Sequence, residues 1–213
     1  MKSLTDNASR KGGVKQDPAE RYYEAVAKLG VNEHLRLALG LLDDSLEKVA
    51  VDCGCGTGRD TLYLLGEGFV VHAFDRNSKA LEQLRHSTAS AGQTSLISSQ
   101  QSFEQFEFPR AGLINASACL YFCSPSAFDQ FWSRLVKSLL PGGIFSGHLM
   151  GANDSWINSK RPPLTWHRES DLAQMFTGFD ILHWDEYDGE GETAIGQKKH
   201  WHTYRIVARK KLD

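Results

Sequence analysis

The chain has 213 residues, 41% of them hydrophobic, and a formal net charge of -2. That length suffices to bury a sizeable core in one domain. The near-neutral balance gives no general electrostatic attraction to nucleic acid or to an anionic membrane, and no apolar run approaches the roughly 20 residues that cross a bilayer.

Residues 1–16 are polar and glycine-containing and are expected to be disordered. They contain no apolar stretch of the kind a secretory signal needs. Asp17 as N-cap and Pro18 at the first helical position start a helix over 19–29, which Gly30 ends. Asn32 caps a second helix through Leu42. An alternation of short elements follows. Strands are expected at 49–52, 69–75, 95–99, 113–117 and 144–150. Helices are expected at 60–66, from a Ser78 cap to about residue 91, and over 126–140, where Pro141-Gly142-Gly143 stops the last of them. Such an alternation of short apolar strands with helices predicts an α/β fold with a doubly wound parallel sheet. A short helix is expected at 169–176. Residues 179–187 and 201–210 read as two strands joined by an Asp188-Gly-Glu-Gly-Glu192 loop, so that an antiparallel strand ends the sheet.

The most informative stretch is Val49-Ala-Val-Asp52-Cys-Gly54-Cys-Gly56-Thr-Gly58-Arg59-Asp60, a strand, a turn of alternating glycines and the start of a helix. Glycines let the backbone come close to a ligand and adopt dihedrals other residues avoid. Asp75 then ends the second strand, where an acid about 20 residues on is placed to hold a ribose diol. A dinucleotide site requires G-x-G-x-x-G. Here the third glycine falls at 58, and Arg59 occupies the position that pattern reserves for glycine, which disfavours an NAD-dependent oxidoreductase.

This D-x-G-x-G-x-G pattern resembles motif I of the class I S-adenosylmethionine-dependent methyltransferases. The resemblance implies a Rossmann-like, mostly parallel seven-stranded sheet with an antiparallel C-terminal strand, and it covers residues from about 49 to 210, with the N-terminal helices as a cap. It also implies S-adenosylmethionine as cofactor and S-adenosylhomocysteine as product. Asp52 would lie near the amino-acid end of the ligand, Asp75 would hold the ribose hydroxyls, and Arg76 would flank the adenine. Gly54, Cys55, Gly56, Thr57, Gly58 and Arg59 would form the turn around it. Gln101, Ser102 and Phe103 follow the third strand. Many relatives carry Asp where Gln101 stands, and the Gln101 side-chain oxygen is able to accept the same hydrogen bond. Ala116 would border the methionine moiety, and Tyr22, with Tyr23, would close over the ligand from the cap. The chain lacks the Asn/Asp-Pro-Pro-Tyr stretch of enzymes that methylate amino nitrogens of nucleic acid, and Gly112 stands where many relatives open the fourth strand with Asp.

Four of the five tryptophans and five of the eight histidines fall in the C-terminal third. His148 sits near the ligand-facing end of the fifth strand, Asp154-Ser-Trp156 follows in a loop, and His200 and His202 share one face of a strand with Trp201 opposite. Histidine is suited to general-base work near neutral pH, so His148 and His200 are the catalytic candidates, with Asp154 or His202 as partners. A structural role for each, as sheet-packing tryptophans and solvated histidines, is the alternative. The four cysteines, Cys53, Cys55, Cys119 and Cys123, are read as free thiols of a reducing cytoplasm. Cys53-x-Cys55 is too short for a zinc knuckle, and no metal is expected.

Asp-Cys-Gly-Cys-Gly-Thr-Gly-Arg-Asp-Thr-Leu-Tyr-Leu followed by Gly-Phe-Val-Val-His-Ala-Phe-Asp75 looks most like the small enzymes of the tellurite-resistance type. The expectation is a single methyltransferase domain at 17–213, with cap helices at 17–46, a cofactor-binding half at 47–150 and a substrate-side half at 151–213. Its acceptor would be a small molecule, with no nucleic acid and no membrane, and it would be a monomer or homodimer. The rival readings are a protein or nucleic-acid methyltransferase and a non-catalytic S-adenosylmethionine-binding protein.

Overall fold

The computed structural model describes residues 18–212; the expected disordered segment and the Asp17 cap lie outside them. Seven strands form one sheet in the order β3-β2-β1-β4-β5-β7-β6. Strands β1 (Val49–Cys53), β2 (Val70–Asp75), β3 (Leu96–Gln100), β4 (Ala111–Ala116) and β5 (Leu139–Met150) are mutually parallel. Strand β7 (Lys198–Lys210) runs antiparallel to β5 and to β6 (Phe179–Glu192).

Apolar residues on the two sheet faces make two cores. On one face, Leu35 and Ala38 of α2 (Glu33–Leu41), Leu64 and Leu65 of α3 (Arg59–Gly66) and Leu81 and Leu84 of α4 (Ser78–Ser90) pack on Ala50, Val71, Leu113 and Val207. On the other, Phe128, Phe131, Trp132 and Leu135 of α5 (Pro125–Ser138) and Leu172 of α6 (Glu169–Met175) pack on Val51, Phe74, Ile114 and Phe145. A sheet covered on both faces needs strands that are apolar on both sides, as parallel strands between helices are. The cap helix α1 (Pro18–Ala27) lies against α4, where Lys79 pairs with Glu20 at 2.8 Å.

Three local expectations need correction. Asn77, not Ser78, caps α4: its side chain accepts from the amides of Lys79 and Ala80, and Ser78 is the first helical residue. Pro141-Gly142-Gly143 does not precede the fifth strand but lies inside it, since β5 starts at Leu139. Its pairing with β4 shifts register between Ala111 and Leu113, and Gly142 takes φ +77 there, so the segment bends within the ladder. Asp188-Gly-Glu-Gly-Glu192 is not a loop but the outer part of β6, and residues 193–197 make the turn. Tyr204, His202, His200 and Lys198 of β7 stand opposite Glu186, Asp188, Glu190 and Glu192. These cross-strand pairs, each setting a potential hydrogen-bond donor opposite an acid, stabilise a segment whose glycines and acids disfavour a strand on their own.

Candidate active site

Open α/β sheets bind ligands outside the carboxyl ends of their strands, and the chain's polar chemistry converges there. The turn after β1 takes positive φ at Gly54 (+59), Gly56 (+55) and Gly58 (+91). A Cβ on Gly54 would sit 2.7 Å from Cys119 Cβ, and one on Gly56 would sit 3.0 Å from the Tyr23 ring. The turn is a bare backbone cradle with no room for side chains. Asp75 crosses it: one oxygen accepts the Gly56 amide at 2.9 Å and the other the Asn77 amide at 2.8 Å. A carboxylate oxygen accepts more than one hydrogen bond, so lone pairs remain for a ligand diol.

Around this cradle, Tyr22 and Tyr23 of α1 meet edge to face at 5.6 Å. Burial raises the pKa of Tyr22, with Arg59 opposing and Cys119 and Asp75 adding to it. Phe103 reaches the cradle from beyond β3, within 3.6 Å of a Cβ on Gly54. The side-chain oxygen of Gln101 accepts from Ser99 at 3.1 Å. Arg76 is exposed, Ser102 and Thr57 are half-buried, and Ala116 is buried at the end of β4. Ala118, just beyond, has φ 53 without being glycine, a strained conformation of the kind found near functional sites. The adjoining Cys119 thiol lies 3.0 Å from the Cys53 carbonyl. Burial pushes the thiols of Cys53, Cys55 and Cys119 well above their ordinary range, which leaves them unreactive. Among the described residues no group of three or more His, Cys, Asp or Glu is placed to hold a metal ion.

Beneath the turn lies a buried polar network. Asp52 accepts Thr61 Oγ1 at 2.5 Å and Asn115 Nδ2 at 2.8 Å. Asp60 takes both nitrogens of Arg59, at 2.9 and 2.8 Å, and Asn32 Nδ2 at 2.9 Å. Asn115 Oδ1 accepts the Ser117 hydroxyl at 3.0 Å, and that oxygen lies 3.1 Å from His34 Nε2. With its proton given to Asn115, Ser117 can only accept from His34, which fixes the proton of that imidazole on Nε2. The His34 ring stands 4.3 Å from His148. Burial lowers His34 to about 4. Burial, then the neighbouring His34, lowers His148 well below its ordinary value, so both rings are neutral near pH 7.

Reading the sequence alone puts neither His34 nor Asp60 among the site residues. An acid beside Arg59 in the first turn of α3 is a signal that local reading carries. The approach of His34 to His148 joins residues 114 positions apart (148 − 34) and leaves no local trace.

His148 and His200 are not brought together. His148 pairs with Arg205 in the β5–β7 ladder, and residues five apart on a strand face opposite sides. The two nitrogens of His200 lie 3.0 Å from Glu190 and 2.5 Å from Asp188. His202 is buried, with Nδ1 accepting the Asn153 amide at 3.0 Å and Nε2 facing Glu186 at 2.8 Å. Asp154 is tied to Lys199 at 2.5 Å, both side chains almost wholly buried. The Lys199 ammonium stands 3.9 Å and 3.8 Å from the ring centres of Trp156 and Trp201. Trp184 packs on Tyr204 at 5.6 Å, as expected of a sheet-packing residue.

Residues 50–143 match the family model described as a methyltransferase domain, on a sheet with the strand order given above. The match and the strand order agree with the class I S-adenosylmethionine-dependent methyltransferases that the glycine turn resembles. An uncharacterized methyltransferase of Synechocystis sp. is 29% identical to this chain over 107 residues, which are 50% of this chain and 49% of that protein. The crystal structure of TehB from Haemophilus influenzae superposes with a TM-score of 0.72 at 17% identity, covering 85% of this chain and 63% of that one. The N-methyltransferase NodS from Bradyrhizobium japonicum, in complex with S-adenosylhomocysteine, superposes with a TM-score of 0.64 at 16% identity, covering 92% of this chain and 89% of NodS. The chain thus spans about half the length of the curated relative it matches. No helix among the described residues is long and apolar enough to cross a membrane.

Proposed function

We propose that the protein transfers a methyl group from S-adenosylmethionine to a small-molecule acceptor in the cytoplasm, acting as a monomer or homodimer without a nucleic-acid partner. The observation that carries this reading is the Asp75 carboxylate held across a turn whose φ values exclude side chains. Backbone and acid together fit an S-adenosyl ligand, which has a ribose diol and no phosphate. Gly54, Cys55, Gly56, Thr57, Gly58 and Arg59 would line it, with Asp52 beneath. Tyr22, Arg76, Gln101, Ser102, Phe103 and Ala116 would close its sides. The cofactor supplies a methyl group already activated on a sulfonium.

The protein's own tasks are then alignment, exclusion of water and removal of a proton from the acceptor. Tyr22 and Tyr23 cover the cradle. The His148 side chain forms no hydrogen bond among the described residues and is neutral near pH 7, so a lone pair on its ring is free to take a proton. His34, with its own proton fixed on Nε2, holds the second ring beside it. His200, already engaged by two carboxylates, serves the β6–β7 ribbon. Free thiols at all four cysteines support a reducing compartment, and the ordinary net charge supports a small acceptor.

Calorimetric titration with S-adenosylmethionine, S-adenosylhomocysteine and NAD, on the wild type and on Asp75→Ala, tests the reading. Binding of the first two, weakened at least tenfold in the variant, is expected from the loss of a charged acceptor. Binding of NAD alone, or unchanged affinity in a folded Asp75→Ala protein, would overturn it.

A further inference from the structure

Beside the glycine turn, the carboxyl ends of β4 and β5 carry a wall of aromatic rings. Cys119, which packs against Gly54 of the turn, leads into one turn of 3-10 helix, Leu120–Phe122. Tyr121 and Phe122 stand there with ring centres 4.6 Å apart. A second such turn, Ser155–Asn158, follows β5 and sets Trp156 6.2 Å from Tyr121, 6.4 Å from Phe122 and 5.6 Å from Trp201 of β7. The Arg161 guanidinium lies over Trp156, its Cζ 4.1 Å from the ring centre. The segment that carries Arg161 is tied down at both ends. The Ser159 hydroxyl donates to the Trp156 carbonyl at 2.7 Å. Thr165 donates its amide to the Tyr121 carbonyl at 3.0 Å and its hydroxyl to the Cys123 carbonyl at 2.7 Å. Pro162 holds Arg161 in extended backbone, and Pro163 stiffens the same run. Arg161 thus sits on a strap that crosses the wall from Trp156 to Tyr121.

Two polar groups of this wall are unpartnered. Arg161 forms no ion pair or hydrogen bond among the described residues, and the Asp154 carboxylate is already paired with Lys199. A guanidinium stacked on an indole keeps its N–H edge free for a planar acid. Tyr121 is 6% exposed, and its hydroxyl forms no hydrogen bond among the described residues. Burial, then Tyr22 and Cys119, raise the pKa of Tyr121, and Arg161 opposes them, which sets Tyr121 between the cap over the turn and the strap. A buried hydroxyl without a partner is costly. Phe122, 39% exposed, leaves the wall open to solvent.

We propose that the Tyr121–Phe122–Trp156 wall and Arg161 bind the methyl acceptor, and that this acceptor is an aromatic carboxylic acid. Its ring lies against Phe122 and Trp156, its carboxylate takes the Arg161 fork, and a polar substituent reaches the Tyr121 hydroxyl on the side of Tyr22. A neutral ring would leave the guanidinium unpaired, and a small anion would leave the rings uncovered. Calling the ligand the methyl acceptor rests on the cofactor reading above; the site itself rests on the wall and the strap. Arg161 is thereby a specificity-determining residue. His148 shares the side of the sheet that Trp201 occupies, because its ladder partner Arg205 lies four residues from Trp201 along β7.

The test is calorimetric titration of the full chain, with and without S-adenosylhomocysteine, against benzoate, 4-hydroxybenzoate and indole-3-acetate. Each acid is run beside its neutral amide, with acetate and phenyl phosphate as further ligands. At least one aromatic acid should bind about tenfold or more tightly than its amide and than acetate. In Arg161→Gln that preference should shrink to less than about threefold, with affinity for S-adenosylhomocysteine unchanged. Arg161→Lys keeps the charge but loses the planar fork, and should recover only part of the preference. Tyr121→Phe, which removes no bond of the fold, should weaken 4-hydroxybenzoate more than benzoate. No aromatic acid preferred over its amide would overturn the proposal. So would a preference undiminished in Arg161→Gln, or acetate or phenyl phosphate binding as tightly as the aromatic acids. Each of these results leaves the cofactor reading intact. That reading falls instead if S-adenosylhomocysteine fails to bind, and the titrations without it then still decide whether the wall takes an aromatic acid.

Discussion

Asp75 does two things at once, and its removal should be felt twice. Besides facing the ligand space, it satisfies the amides of Gly56 and Asn77. Asp75→Ala is therefore expected to lower unfolding stability by about 1–3 kcal/mol, read from the urea midpoint, in addition to its effect on binding. Two glycines should respond in opposite directions. At Gly58, φ is +91 and a Cβ would overlap Leu84, so Gly58→Ala should cost about 2–4 kcal/mol. Gly40, in α2, has nothing within 4 Å of the place a Cβ would take, so Gly40→Ala should stabilise by about 0.4–1 kcal/mol. Denaturant midpoints of the two variants, shifted to opposite sides of the wild type, check this pair. At this scale the glycine turn is readable in the sequence because its information is local: spacing alone names the residues that must adopt positive φ. Asp60 stands in the same local run beside Arg59, but that the two side chains pair depends on their direction, which spacing does not give.

The outer part of β6 and β7 is the element that sequence pattern misplaces. Gly189, Gly191 and the alternating acids argue for a loop by composition, and only the facing residues of β7 turn them into a ladder. His200 reports on that ladder. Its hydrogen bonds to Asp188 and Glu190 raise its pKa above the ordinary 6.5. A group raised in this way stabilises the folded form fully below the unfolded pKa and loses that contribution as pH rises through the folded one. The NMR titration midpoint of His200 is expected above 6.5, falling back toward it in Asp188→Asn. The same ribbon is clamped by Asp154, which pairs with Lys199 and accepts the amides of Trp156 and His202. Asp154→Ala would leave a buried ammonium between two indoles without its carboxylate, at a cost of about 3–5 kcal/mol, measurable by urea unfolding.

Across the whole molecule, the buried titratable groups set an opposition in pH. His34 and His148 have lowered pKa values in the fold, so their contribution is present above about 6.5 and is lost as pH falls toward the folded values. For His34 the loss by pH 5 is about 2 kcal/mol. Asp52 works in reverse: with its folded pKa raised to about 7, its contribution is largest at low pH and disappears as pH rises toward 7. The two histidines outweigh the one acid, and the urea midpoint is expected to be lower at pH 5 than at pH 7.5. The doubly wound, mostly parallel character of the sheet follows from the rhythm of short apolar strands and helices along the chain. The histidine pair does not, because the topology brings the start of α2 over the end of β5, and no periodicity encodes that meeting.

The β5–β7 ladder ends at Met150 opposite Thr203, whereas β6 and β7 continue together to Glu192 and Lys198. Beyond Thr203 the ribbon is a cantilever, two strands wide and about 17 Å long at roughly 3.3 Å per residue. A tilt of about 5° at its root swings the tip by about 1.5 Å at that length. Asn153, Asp154 and Ser155 grip it part-way along, through His202, Lys199 and the His200 carbonyl. The position of this free part of the ribbon is therefore set by a three-residue brace rather than by the sheet, and loosening the brace would let it swing without touching a single residue of the glycine turn.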